Sequence, residues 1–282
     1  MSRIMRLGLI SDTHMPDRWA TLPERIFEIF ADVDLICHAG DVGELRVLDE
    51  LSACAPVIAV HGNDETEEAT NALPYLQTIS AAGHRLVMTH AHYPVRSEEL
   101  ASRTNDWESK FVRRADFAKQ HGASICVYGH LHIPQVLEYD GILLINPGAI
   151  AAGNPWTRQL VQTVAILTLD ADKAPQVQHI DLATGEEHAP FYDARGFLET
   201  NIAYSEAIFE DHFMPHREFV YNELRPIELE TVHHALLSIC HEVWAGERDI
   251  VTTEALMQRF LAIDNADVQD ALMQHPYFSQ YI

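Results

Sequence analysis

The sequence predicts an α/β protein with a separate helical region toward its C-terminus. Three observations carry this. Short apolar runs of strand length recur through the first two thirds of the chain, at 7–10, 33–37, 56–60 and 124–128. Segments with apolar residues at helical spacing lie between them. Beyond about residue 184 the strand signals stop and helical patterns take over.

Taken in order, residues 7–10 read as a buried strand that ends abruptly in Asp12, Thr13 and His14. Along an extended backbone, positions i and i+2 share a side, so Asp12 and His14 converge beyond the strand's end, where α/β sheets place ligand sites. Leu22, Ile26, Ile29 and Phe30 give a helix over 22–30, with Pro23 tolerated in its first turn. Residues 33–37 form a second strand leading to His38, Gly40 and Asp41, and 47–51 a short helix. The strand at 56–60 leads to His61, Gly62, Asn63, Asp64 and Glu65. Residues 77–79 and 85–89 pair across the Ala82–Gly83 turn, and the second ends in His90 and His92. The stretch 93–103 reads as a polar loop and 107–120 as a helix stopped near Gly122. The strand at 124–128 precedes Gly129, His130 and His132. A hairpin over 135–139 and 142–145 turns at Asp140–Gly141 and runs into Asn146-Pro147-Gly148. Strands at 161–169 and 176–182 close the region. In the C-terminal part, Ile227, Leu229, Val232, Leu236, Ile239, Cys240 and Val243 form one apolar face of a helix over 226–244, and 252–263 and 266–273 are two shorter helices.

The 282 residues, 47% of them apolar, suffice for a sizeable core. The four cysteines lack Cys-x-x-Cys spacing and read as reduced structural residues. No segment has the length of a membrane span or the form of a signal sequence, so the expected location is cytoplasmic, with no membrane partner. The net charge is −23, from 42 acidic and 19 basic residues. Such a surface repels long polyanions, which excludes long nucleic acid as the expected partner. A small anionic substrate remains compatible if divalent cations supply local positive charge.

Five strand ends thus offer seven ligand-type residues: Asp12, His14, Asp41, Asn63, His90, His130 and His132. Mixed oxygen and imidazole donors suit first-row transition ions better than Mg or Ca. One tetrahedral zinc needs four protein ligands, so seven point to two ions with one shared ligand.

The ordered set Asp12-x-His14, Gly40-Asp41, Gly62-Asn63, His90 and Gly129-His130-x-His132 resembles the motifs of the calcineurin-like metallophosphoesterases. With Asn146-Pro147-Gly148, it resembles the small prokaryotic phosphodiesterase branch in particular. The likeness covers about 4–182. It implies a four-layer sandwich of two mixed sheets flanked by helices. The loss of strand signals near 184 bounds this catalytic domain at 1–184 and leaves 185–282, outside the resemblance, as a helical extension that caps, packs or dimerises. The resemblance also implies that Asp12, His14 and His132 hold one ion, that Asn63, His90 and His130 hold the other, and that Asp41 bridges them. A hydroxide between the ions would attack phosphorus in line. Manganese is the first expectation for the metals, ahead of Fe, Ni, Co or Zn.

Many members of the superfamily carry a histidine after the Gly-Asn pair that protonates the leaving group. Here Asp64 stands in its place, a poor acid at neutral pH, which favours phosphodiesters over alkyl monoesters. His92 and His61 are the candidate substitutes, with His38 expected as a supporting partner and Asn146 as a loop-shaping residue. Arg96, Arg113 and Arg114 are the nearest basic residues in sequence, the last two expected on a solvated helix face. The alternatives are a phosphomonoesterase acting on a nucleotide or protein, and a non-catalytic metal-bearing scaffold. The expected partner is a small phosphoester, with a homo-oligomer through the C-terminal helices as a further expectation.

Overall fold

The computed structural model describes residues 4–282; residues 1–3, part of the expected first domain, lie outside the described residues. Its elements run β1 (Met5–Ile10), α1 (Glu24–Ile29), β2 (Leu35–His38), α2 (Arg46–Leu51), β3 (Val57–Ala59), α3 (Glu67–Ala72), β4 (Leu76–Ala81), β5 (His84–Thr89), α4 (Arg96–Ala101), α5 (Glu108–Gln120), β6 (Ile125–Tyr128), β7 (Gln135–Tyr139) and β8 (Ile142–Asn146). They continue with β9 (Thr157–Gln159), β10 (Thr163–Leu169), β11 (Gln176–Asp181), β12 (Glu187–His188), α6 (Phe197–Asn201), β13 (Ser205–Ala207), α7 (Arg217–Phe219), α8 (Leu229–Trp244), α9 (Thr253–Leu261) and α10 (Ala266–Gln274).

One sheet has the order β12-β11-β10-β1-β2-β3, the other β4-β5-β6-β8-β7. In the first, β1 runs parallel to β2 and antiparallel to β10. In the second, β6 lies between two parallel neighbours, β5 and β8. Both sheets are therefore mixed, as expected for this fold class. The period-two alternation of side chains explains the layering. Leu7, Leu9 and Cys37 point inward and pack with Leu86, Met88, Ile125 and Val127 between the sheets. Ile10 and Ile36 point outward and pack under Ile26, Phe30, Val47 and Leu51. On the far side, Val87, Cys126, Tyr128 and Leu144 meet Phe111, Ala115 and Ala118 of α5. The parallel strands are covered on both faces, which is why they read as unbroken apolar runs.

The chain forms two compact units: residues up to Gly153 together with Gln159–Ser205, and Asn154–Arg158 together with Glu206–Ile282. The expected boundary near 184 lies inside the first unit. Tyr204 explains the difference. It is buried in the same cluster as Trp107, Phe111 and Tyr128, and its hydroxyl accepts a hydrogen bond from Phe191 N at 2.7 Å. In the second unit, Val232, Leu236, Ile239 and Val243 of α8 pack with Leu256 and Phe260 of α9 and Val268 and Leu272 of α10. The 93–103 stretch, expected as a loop, holds α4, and Glu67–Ala72 adds a helix capped by Thr66, whose hydroxyl accepts from Ala69 N. All four cysteines are free thiols. Among the described residues no helix is long and apolar enough to cross a membrane.

Candidate metal centre

Six of the seven expected ligands, all but Asn63, come together at one end of the strands, but not for the reason the sequence suggests. The backbone at Asp12 and His14 is not extended; φ is 54° and 45°. Asp41, His130 and His132 share this left-handed conformation, with φ of 52°, 72° and 56°. Non-glycine residues there are uncommon and cost of order 1–3 kcal/mol each, so the surrounding structure must hold them. It does so by pairing the loops that follow β1 and β2. Asp12 N donates to Gly40 O at 3.0 Å, His14 N to Asp41 O at 3.0 Å and Met15 N to Val42 O at 3.2 Å.

Two groups result. Asp12, His14 and His132 each offer a ligand atom within 4.8 Å of the others, and so do Asp41, His90 and His130. Asp41 joins them: its Oδ2 lies 3.4 Å from His14 Nε2 and 3.1 Å from His90 Nε2. His132 Nε2 lies 3.1 Å from Asp12 Oδ1. Asn63 is exposed on the loop after β3, and its neighbours on both sides press on Asp41. Asp64 N donates to Asp41 Oδ1 at 2.9 Å. A Cβ at position 62 would come within 2.0 Å of that same oxygen, so only glycine fits there. Gly40 is required twice over, by a φ of 89° and by the His90 side chain, whose own Cβ lies 2.7 Å from where a Cβ at position 40 would be.

The donor set fits metal ions. His90 Nδ1 donates to Ala39 O and His132 Nδ1 to Ala151 O, each at 2.9 Å. A neutral imidazole with its proton on Nδ1 turns its Nε2 lone pair outward. Both Nε2 atoms face carboxylate oxygens at 3.1 Å, acceptor against acceptor, and His90 Nε2 is buried without a hydrogen-bond partner. That arrangement calls for a cation or proton between them. Burial opposes a charge on His90, yet Asp41 and Asp12 overcome this and lift it to about 9. Burial likewise works against ionisation of Asp41, and the His90 and His14 rings outweigh it, holding the carboxyl well below its usual range.

The other expected residues surround this centre. Ala91, with φ 69°, turns the chain between His90 and His92, so the two rings are not on one extended face; their centroids are 5.6 Å apart. His92 packs with His61 and Tyr75, and burial pushes it down to about 3. His61 Nδ1 lies 2.9 Å from Gly62 O. His38 Nε2 lies 3.1 Å from Thr13 Oγ1. Asn146 clamps the loop as expected, donating to Gly129 O and accepting from Gly148 N. Arg96 is exposed. Arg113 and Arg114 depart from the expectation of a solvated face. Arg113 donates to Ala91 O and His92 O, and Arg114 is buried with its guanidinium over the Tyr128 ring. Burial raises Glu65 to about 7, against the backbone N–H groups of Gly62, Val42 and Gly43 that it accepts from.

Two residues at the centre were missed by the sequence reading. Glu99 of α4 is buried, and its Oε1 lies 3.0 Å from His130 Nε2. Arg18 sits against His14 and pairs with Asp64. The only sequence signal for Arg18 is its spacing of four from His14. For Glu99, nothing distinguishes it from its neighbour Glu98.

A two-sheet sandwich with two clusters of metal-type ligands at its strand ends defines a candidate metal-binding fold, and the comparisons narrow it. Residues 5–172 match the family model of the calcineurin-like phosphoesterase superfamily domain, and the chain belongs to that superfamily. It is 31% identical over 170 residues to a protein named probable metallophosphoesterase from Methanothermobacter thermautotrophicus, covering 60% of this chain and 88% of that one. It is 27% identical to a phosphodiesterase of Methanocaldococcus jannaschii, over 51% of this chain and 83% of the relative. The fold is shared with Vps29 of Entamoeba histolytica, at TM-score 0.53 and 20% identity, over 67% of this chain and 100% of that one. The family uses divalent metal ions, and the two ligand groups fit that use.

Proposed function

We propose that this chain is a dinuclear metal-dependent phosphodiesterase of small diesters. The observation that carries the reading is Asp41, whose Oδ2 reaches a histidine of each ligand group. A carboxylate with two oxygens is suited to be shared between two sites. Asp12, His14 and His132 would hold one ion, and His90 and His130, with Asn63 from the neighbouring loop, the other. Bound divalent ions supply positive charge against the phosphoryl oxygens and acidify water to a nucleophile at neutral pH. Manganese is the first candidate, with Fe, Ni, Co and Zn behind it.

The protein's own groups prepare the site. Ala39 O and Ala151 O fix the tautomers of His90 and His132, so that both rings present Nε2. Glu99 does the corresponding work from the Nε2 side of His130. His92, kept neutral by burial, can offer a leaving oxygen a hydrogen bond but no acidic proton, which favours esters with good leaving groups. Asp64 is engaged by Arg18. The charge of −23 favours a small substrate over a long polyanion. The relative named as a phosphodiesterase supports the same preference.

The test is hydrolysis of bis(p-nitrophenyl) phosphate and p-nitrophenyl phosphate by metal-stripped protein given back Mn, Ni, Co, Zn or Mg singly. Metal-dependent turnover favouring the diester is expected. Preference for the monoester overturns the diester assignment. Failure to turn over either ester with two ions bound overturns the catalytic reading.

A further inference from the structure

Arg18 is out of place in a site built only to hold cations. Its backbone N donates to His14 O at 2.9 Å, so one tight turn after His14 brings it back over the first ligand group. Its Nη1 lies 3.3 Å from His14 Nε2, the atom that also faces Asp41 and Asp12. The side chain is only 12% exposed. A permanent positive charge beside a metal-binding nitrogen repels the ion the cluster is shaped for. The chain nevertheless anchors it there from two directions. Nη1 donates to Ala152 O at 3.0 Å, and Nη2 pairs with the Asp64 carboxylate.

A group that both a cation cluster and a guanidinium attract resolves the conflict. That group is an anion with several oxygens, and phosphate geometry matches the arginine fork. Ala152 O and Asp64 occupy one N–H on each terminal nitrogen, so donors remain for a further acceptor. Asp64 also donates its own N–H to Asp41 Oδ1. It therefore ties the guanidinium to the carboxylate that joins the two ligand groups.

We infer that Arg18 is a catalytic residue that binds a non-bridging oxygen of the substrate's phosphoryl group, and that Asp64 is its positioning residue rather than an acid. This rests on the phosphoesterase reading above. It gives the position after the Gly-Asn pair a different task from protonating the leaving group: holding an arginine that arrives from the first loop.

The test uses the full chain loaded with Mn, as wild type, Arg18→Ala, Arg18→Lys and Asp64→Asn. Metal content is measured first, then the affinity for inorganic phosphate by calorimetry, then kcat and KM for bis(p-nitrophenyl) phosphate with and without added guanidinium. Arg18→Ala should retain both ions and lose about tenfold to a hundredfold in phosphate affinity and in kcat/KM. Guanidinium should restore part of its rate, and Arg18→Lys should recover only part because an ammonium lacks the fork. Asp64→Asn should fall between wild type and Arg18→Ala. Unchanged phosphate affinity in Arg18→Ala, or loss of its metal, overturns the assignment. If wild type shows no turnover, the phosphoesterase reading fails, while phosphate calorimetry still decides whether Arg18 binds the anion.

Discussion

At the scale of single residues, the centre is built from strained backbone. Left-handed φ at Asp12, His14, Asp41, His130 and His132 turns each side chain sharply off the end of its strand. Hydrogen bonds between the first two loops, and glycines at 40 and 62 that let neighbours approach, hold that geometry. Asp41 Oδ2 faces a histidine of each group, and the proposed function makes it the shared ligand. Asp41→Ala should lose both ions and nearly all activity, measured as metal stoichiometry and turnover on the same preparation. Activity that survives with metal bound would show that Asp41 does not join the sites. Glu99 acts through His130. Glu99→Ala should weaken binding of one of the two ions by about tenfold to a hundredfold and leave the other unchanged, read by metal titration. Equal weakening at both sites would mean that Glu99 supports the fold rather than the ring.

At the scale of elements, the strands carry the ligands and the helices restrain the connecting turns. Arg113 projects from α5 to hold the carbonyls of Ala91 and His92, so a helix on the outer layer fixes the turn between two histidines. The C-terminal unit has its own core, in which Leu236 of α8 is fully buried. Leu236→Ala should destabilise that unit by about 2–5 kcal/mol through lost burial and the cavity left behind. Amide exchange across 229–261 should speed up accordingly. Metal stoichiometry should be unaffected, because every candidate ligand lies in the first unit.

At the scale of the whole molecule, charge and metal loading dominate. On the proposed reading, two ions added to a chain of net charge −23 would offset part of its self-repulsion and bind only the folded ligand set. Each site saturated at a hundred times its Kd adds about 2.7 kcal/mol. Chelation should therefore lower the melting temperature, and re-addition of Mn should restore it with a two-site stoichiometry. A melting temperature indifferent to chelation would mean that the ligand groups do not bind metal in the folded state.

The sequence by itself determined most of the sandwich strands, though not β12, together with the helical character of the C-terminal region and the candidate ligand residues, since apolar runs ending in Asp, Asn and His are local patterns. The unbroken apolar runs of β1 and β2 and the turn at Asp140–Gly141 are local in the same way. Only the tertiary structure decided how the ligands are aimed, because left-handed backbone at Asp12 or His130 is enforced by loops distant in the chain. It also decided the partners. Glu99 meets His130 across 31 positions and Arg18 meets Asp64 across 46, separations at which no spacing rule operates. The same holds for the end of the first unit, since Tyr204 gives no sign in sequence that it is buried beside Trp107 and Phe111. Periodicity reports which side of an element is apolar; it says nothing about which distant residue that side, or a single polar group on it, will meet.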